Sequence, residues 1–254
     1  MANVQVSCST GCIPTFNRAE AMQAIANGGF QLIEGYAFET ESRLHPDVVF
    51  PEQVLEDLRK YKLKLSGLNV SDVAVGCNLT GIKREIEFAS TLGLPYVNIK
   101  GGLRTERDMN ALINSLKILV KLAKAHNIDI NVRNCHGNRV ENSDDFGRIF
   151  SKIDHPSLGI ALDVGQLHSS KVDPNGVIDR FAPKIRVIYL RDQIGGRVVD
   201  FGKGEIDIAS IVAKLNAVGF SGLIVAEPHI HKRDIEKDIS SAHEFLQALL
   251  ANGN

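Results

Sequence analysis

Arg133, Asp163 and Glu227 each close a short apolar run. The runs are Ile128-Asp129-Ile130-Asn131-Val132-Arg133, Leu158-Gly159-Ile160-Ala161-Leu162-Asp163 and Leu223-Ile224-Val225-Ala226-Glu227. A charge at the end of a buried strand is costly unless it is paired or coordinated. If the three runs lie parallel in one barrel, their ends project into a single mouth. There a carboxylate can move a proton and a guanidinium can hold or neutralise an anion.

Other residues could join them. Glu34 ends an earlier strand-like run, Lys100 ends another, and Arg191 follows Ile188-Tyr189-Leu190. Lys100 and Arg191 could each grip a phosphate or carboxylate, or simply form structural salt bridges. His136 and His168 follow Arg133 and Asp163 on expected mouth loops, where surface hydrogen bonding is the plainer role. His229 stands beside Glu227 and is a pocket candidate, whereas His231, next to Lys232 and Arg233, reads as solvated. Asp192 reads as a residue that orients its neighbours.

Positioning these groups requires a regular scaffold, and the chain supplies one. Apolar runs near Val4–Cys8, Phe30–Glu34, Leu63–Asn69, Tyr96–Lys100, Ile128–Arg133, Leu158–Asp163, Ile185–Leu190 and Leu223–Glu227 read as strands covered by helices. Between them run helical stripes. Met109, Leu112, Ile113, Leu116, Leu119, Val120 and Ala123 form one, with Thr105 as the expected N-cap and Asn127 at the far end. Asp207 caps another, bearing Ile208, Ile211, Val212, Leu215 and Val218, and Ile235, Ile239, Ala242 and Leu246 mark a last one. Eight strands alternating with helices, without a long linker, predict an α/β chain folded as a single (β/α)8 TIM barrel, one domain over residues 1–254.

A doubly wound sheet is the runner-up, but Ser9-Thr10-Gly11-Cys12-Ile13 lacks the glycine fingerprint that follows its first strand. Phe201-Gly202-Lys203-Gly204-Glu205 reads as a tight turn rather than a phosphate loop.

The 254 residues carry a formal charge of −1 and are 44% hydrophobic. That balance argues against a nucleic-acid or anionic-membrane partner. No apolar run approaches the roughly 20 residues needed to span a bilayer, and the first residues do not read as a signal peptide. Cys8, Cys12, Cys77 and Cys135 lack paired zinc-type spacing. A reduced, soluble, cytoplasmic protein is expected, with a homo-oligomer left open.

Gly28-Gly29-Phe30-Gln31-Leu32-Ile33-Glu34, Leu92-Gly93-Leu94-Pro95-Tyr96-Val97, Leu162-Asp163-Val164-Gly165, Gly202-Lys203-Gly204-Glu205-Ile206-Asp207 and Gly219-Phe220-Ser221-Gly222 through Glu227-Pro228-His229 resemble, in order and spacing, the xylose isomerase-like TIM-barrel family. The resemblance covers almost the whole chain. That family includes sugar and sugar-phosphate isomerases, 3-epimerases, inosose dehydratase and endonuclease IV-type proteins. Its metal-dependent members place a divalent cation, often manganese, between a Glu ending strand five, an Asp or Glu ending strand six, a His on strand seven and a Glu ending strand eight.

The resemblance assigns Asp163 and Glu227 to two of these ligand positions. Arg133 stands at the strand-five Glu, Tyr189 at the strand-seven His, and Gln166 at a His that often follows the strand-six Asp. A fixed guanidinium about 4 Å from a cation costs roughly 4 kcal/mol per unit of charge at an effective dielectric near 20, and arginine does not shed its proton. The expectation is that Arg133 pairs with Asp163, Glu227 or both, and that no metal cofactor is favoured. Alternatively, Arg133 turns away toward Asp129 or Asp144. Asp163 and Glu227, with His136 or His168, could then hold Mn or Mg.

The resemblance implies an isomerase, epimerase or dehydratase that acts on a small sugar, sugar phosphate or sugar acid by proton transfer next to a carbonyl. Glu227, Asp163 and Arg133 are the expected catalytic residues. Glu34, Lys100, His136, Tyr189, Arg191 and His229 are the expected substrate contacts. The alternative is a non-catalytic sugar-binding protein or a subunit of a larger assembly. Abasic-site DNA repair is disfavoured, because it needs more metal ligands and a basic groove.

Overall fold

The computed structural model describes residues 4–252 except 39, 75, 107 and 232. Its elements in chain order are β1 (Gln5–Ser9), α1 (Arg18–Asn27), β2 (Leu32–Tyr36), α2 (Pro51–Tyr61), β3 (Lys64–Asn69), α3 (Thr80–Thr91), β4 (Tyr96–Lys100), α4 (Met109–Ala125) and β5 (Asp129–Arg133). There follow α5 (Ser143–Phe150), β6 (Leu158–Asp163), α6 (Val164–Ser169), α7 (Pro174–Phe181), β7 (Ile185–Leu190), β8 (Asp192–Ile194), β9 (Arg197–Val199), α8 (Ile208–Ala217), β10 (Leu223–Ala226) and α9 (Ile235–Asn252). Eight parallel strands close in the order β1-β10-β7-β6-β5-β4-β3-β2, while β8 and β9 form a separate antiparallel hairpin. This is a single (β/α)8 TIM barrel.

Strand alternation decides what enters the interior. Ile130 and Val132 on β5 pack outward into the main apolar core, so Asn131 and Arg133 face the barrel axis. The same two-residue step aligns Tyr96, Asn98 and Lys100 on β4 and Leu32, Glu34 and Tyr36 on β2. The interior itself holds a small second core of Ala161, Val187, Tyr189, Leu223 and Val225, with Leu32 and Tyr96 packed against it. Two residues beyond these come Asp163, Arg191 and Glu227. The charged ends are therefore the top layer of a filled barrel.

Two local expectations are corrected. The strand expected over Phe30–Glu34 runs instead from Leu32 to Tyr36, because Gly28-Gly29-Phe30 is still closing helix α1: the Phe30 N–H donates to Ile25 O at 3.3 Å. Tyr36, not Glu34, therefore reaches the mouth. Thr105 lies in a 3-10 turn (Arg104–Glu106) and does not cap α4. Asp108, immediately before the helix, accepts the Ala111 N–H at 2.8 Å. Asn127, just past α4, takes the left-handed conformation with φ 55°. Asp207 caps α8 by accepting the Ser210 N–H at 2.9 Å. Among the described residues, no helix is long and apolar enough to cross a membrane.

Candidate functional site

At the C-terminal end of the barrel, Arg133 lies between the two carboxylates. Its Nη2 is 2.6 Å from Asp163 Oδ2 and 2.9 Å from Glu227 Oε1. Nη1 donates to the Tyr36 hydroxyl at 2.8 Å and to Asn69 Oδ1 at 3.2 Å. Below it, the Tyr189 ring centroid is 3.5 Å from the guanidinium carbon, a stacked cation–π arrangement. Asp129 and Asp144, the other conceivable partners, pair with Arg186 and Arg180.

Arg191 makes a second bridge. Its Nη2 is 2.7 Å from Asp163 Oδ2 and 2.5 Å from Glu227 Oε2. Gly165 makes this approach possible, since a Cβ there would meet Arg191 Cγ at 2.5 Å. Asp163 is further fixed by its neighbours. Its Oδ1 accepts the Gln166 N–H at 3.0 Å, and Asn134 exchanges hydrogen bonds with its backbone at 2.7 and 2.9 Å. Burial alone would raise the Asp163 carboxyl; the charges of Arg191 and Arg133, with these hydrogen bonds, outweigh it and hold the group below its ordinary range. Burial likewise works against the charge on Arg133, and Tyr36, Glu227 and Asp163 overcome it.

A polar layer lies underneath. Glu34 Oε1 accepts from Asn69 Nδ2 at 2.7 Å and from Asn98 Nδ2 at 3.0 Å. Asn98 Nδ2 also donates to the Tyr189 hydroxyl at 2.8 Å, and Asn131 Nδ2 to Asn98 Oδ1 at 3.1 Å. Glu34 Oε2 is buried with no hydrogen-bond partner among the described residues. Burial pushes the Glu34 carboxyl up to about 8, against the opposing effects of Arg133 and Asn69. Near neutral pH Glu34 thus keeps its proton, and the Arg133 and Arg191 guanidinium groups are paired with Asp163 and Glu227 rather than with Glu34.

A cavity of about 480 Å³ opens above this network, lined by Tyr36, Lys100, Arg133, Asp163, Arg191, Glu227 and His229 among others. Lys100 Nζ lies 3.6 Å from Asp72 Oδ1. Glu34 and Tyr189, expected as substrate contacts, are fully buried below the cavity. The barrel interior puts one two-residue step between them and the mouth. His136 and His168 do not line the cavity either. His136, more than half exposed, pairs with Glu141 at 2.9 Å, and His168, which lies in helix α6 rather than on the expected loop, pairs with Glu205 at 3.2 Å. Asp192 anchors the following loop, accepting the N–H groups of Gly202, Gly204 and Ile206.

Tyr36 and the asparagines Asn69, Asn98 and Asn131 join the site without a chemical motif that marks them in the sequence. The sequence shows only polar amides inside apolar runs, and the adjacent strands bring them into register as Asn69–Asn98 and Asn98–Asn131.

The donor set does not fit the divalent centre that the fold family implies. An ion between Asp163 and Glu227 would lie among two permanently charged guanidinium groups already within 3 Å of those oxygens. At about 4 Å each, the repulsion is roughly 8 kcal/mol per guanidinium for a doubly charged ion at an effective dielectric near 20. Asp163, Glu227 and two arginines make an ion-paired cluster instead.

The comparisons with known proteins agree on the scaffold. The chain is 24% identical over 228 residues to a 3-dehydroshikimate dehydratase of Pseudomonas putida, covering 82% of this chain and 35% of that protein. It is 25% identical over 166 residues to an inosose dehydratase of Geobacillus thermodenitrificans, covering 58% of this chain and 53% of that protein. The chain therefore spans about half or less of these relatives' lengths. The crystal structure of the IOLI protein with a bound zinc atom superposes with a TM-score of 0.81 at 17% identity, covering 98% of this chain and 99% of that one, a likeness of fold. The xylose isomerase-like TIM barrel family model matches residues 22–249, and the chain belongs to that family.

Proposed function

We propose that the mouth is the active site of an isomerase, epimerase or dehydratase acting on a small sugar-type substrate by proton transfer next to a carbonyl. The observation that carries this reading is the Glu227 carboxylate, on a rigid strand end at the cavity, held between Arg133, Arg191 and the Tyr36 hydroxyl. The dehydratases among the relatives support the reaction class.

Glu227 is the base that removes a proton from the carbon beside the carbonyl. The negative charge then gathers on the carbonyl oxygen, where Arg191 and Arg133 can donate N–H groups to the enediolate. Collapse with return of the proton gives isomerisation or epimerisation; loss of a β-hydroxyl as water gives dehydration. Tyr36, 3.2 Å from Glu227 Oε1, is a second proton-bearing group at the same place. Lys100 and His229, on the cavity wall, contact the substrate's outer oxygens. Asp163 serves by holding both arginines in position, and no step requires a divalent cation at the mouth. Four free cysteines support a reducing, cytoplasmic setting.

The test incubates the protein with a panel of ketoses, sugar phosphates and cyclic keto acids in D₂O and follows deuterium incorporation and product by NMR. Glu227→Gln is expected to abolish exchange while the fold and ligand binding persist. Undiminished exchange in that variant would remove Glu227 from the mechanism. A binding-only role is the second reading, favoured by the occupation of both Glu227 oxygens by ion pairs. Ligand-induced thermal stabilisation without any exchange would support it.

A further inference from the structure

A second cluster lies on the rim, outside the arginine-paired mouth. Asp200 follows β9, and His229 and His231 follow β10. One ligand-type atom from each of the three lies within 4.8 Å of the others. His229 Nδ1 is 3.2 Å from Asp200 Oδ1, and His231 Nδ1 is 3.9 Å from the same oxygen. A tetrahedral ion bound at about 2.0–2.1 Å requires its ligand atoms to be roughly 3.3 Å apart. The Asp200–His229 pair already has that spacing, and His231 is about half an ångström from it.

The local backbone works to this end. Side chains two residues apart in an extended segment share one side, and here the two imidazoles meet edge to face with centroids 4.3 Å apart. Asp238, on α9, holds His231 in place: it accepts the His231 backbone N–H at 2.5 Å and lies 3.2 Å from Nδ1. Because this nitrogen also faces Asp200, the Asp238 carboxylate is a further oxygen donor at the edge of the cluster. With both imidazoles neutral, Asp200 and Asp238 supply two negative charges, matching a divalent ion. The cluster lines a hollow of about 330 Å³ and is open to water, so coordination positions remain for solvent or a ligand oxygen. His229 and Pro228 are common to this hollow and to the mouth cavity.

We infer that Asp200, His229 and His231 form a divalent-cation site on the rim, distinct from the Asp163–Glu227 position. Two imidazoles and a carboxylate select zinc or a similar first-row ion over magnesium or calcium, which prefer all-oxygen sites. The ion would stand at the edge of the mouth, able to take an outlying substrate oxygen without contacting the arginines.

The test is titration of the untagged, chelator-treated 254-residue chain with Zn²⁺ by calorimetry and with Co²⁺ by visible absorption. One ion per chain is expected, with cobalt bands of histidine–carboxylate coordination. His231→Ala and Asp200→Asn should each weaken binding by about 100-fold or more, since even outer partners cost 10–100-fold; Glu227→Gln should leave it unchanged. Both rim residues are at least half exposed, and circular dichroism melts check that the variants fold. Absence of saturable binding, binding indifferent to His231→Ala and Asp200→Asn, or binding lost in Glu227→Gln would each overturn the assignment.

Discussion

The stability of a Glu34→Gln variant relative to the native chain should rise steadily with pH. In the folded barrel the Glu34 carboxyl keeps its proton up to about pH 8, against an ordinary value of 4.5 in the unfolded chain. Between those values the unfolded chain binds fewer protons than the folded one, so this group's contribution to stability falls by about 1.36 kcal/mol per pH unit. The loss begins near pH 4.5, amounts to about 3 kcal/mol at pH 7, and levels off above pH 8. Glutamine does not titrate. Its Oε1 can keep the Asn69 and Asn98 hydrogen bonds, while its NH₂ takes the unpartnered place of Oε2. That fixed cost, roughly 1–3 kcal/mol, is independent of pH. Urea unfolding of both proteins at pH 5, 6, 7 and 8 therefore measures a difference in stability that climbs by about 3 kcal/mol across the series. A difference that stays flat would mean that Glu34 is ionised throughout and paired with Arg133, refuting the pairing of both guanidinium groups with Asp163 and Glu227 rather than with Glu34.

Arg133→Met should destabilise the fold by about 3–5 kcal/mol, because it leaves a buried carboxylate uncompensated and strips Tyr36 and Asn69 of a donor. Urea unfolding at pH 7 checks this, and a loss under 1 kcal/mol would show that the pairing is slack. Gly165→Ala should cost about 1–3 kcal/mol by driving the new methyl into the Arg191 stem. Thermal melting measures it, and an unchanged melting temperature would mean that Arg191 reaches Asp163 by another path.

Much of the fold was legible because parallel strands buried on both faces read as apolar runs and the helices between them carry their own period. Strand ends were legible where a charge closes the run, as at Lys100, Arg133 and Asp163. They were not at Glu34, where the acidic residue sits in mid-strand and Tyr36, amphipathic and unremarkable in sequence, takes the mouth position. Thr105 and Asp108 are both cap-type residues ahead of α4, and only the 3-10 turn that takes up Thr105 leaves the cap to Asp108. The asparagine row is not legible in the sequence because its meaning depends on strand register. The β8–β9 hairpin, three residues per strand, is too short for periodicity to reveal. The rim histidines meet Asp200 only through the hairpin's return, a contact that no spacing in the chain encodes.

Two guanidinium groups, those of Arg133 and Arg191, hold the mouth carboxylates Asp163 and Glu227 in place of a cation. The most direct test of this is Mn²⁺ titration, by electron paramagnetic resonance, of chelator-treated His231→Ala protein, in which the rim cluster is removed. No saturating one-to-one binding at the mouth is expected. Tight stoichiometric binding that disappears in the His231→Ala, Asp163→Asn double variant would contradict it.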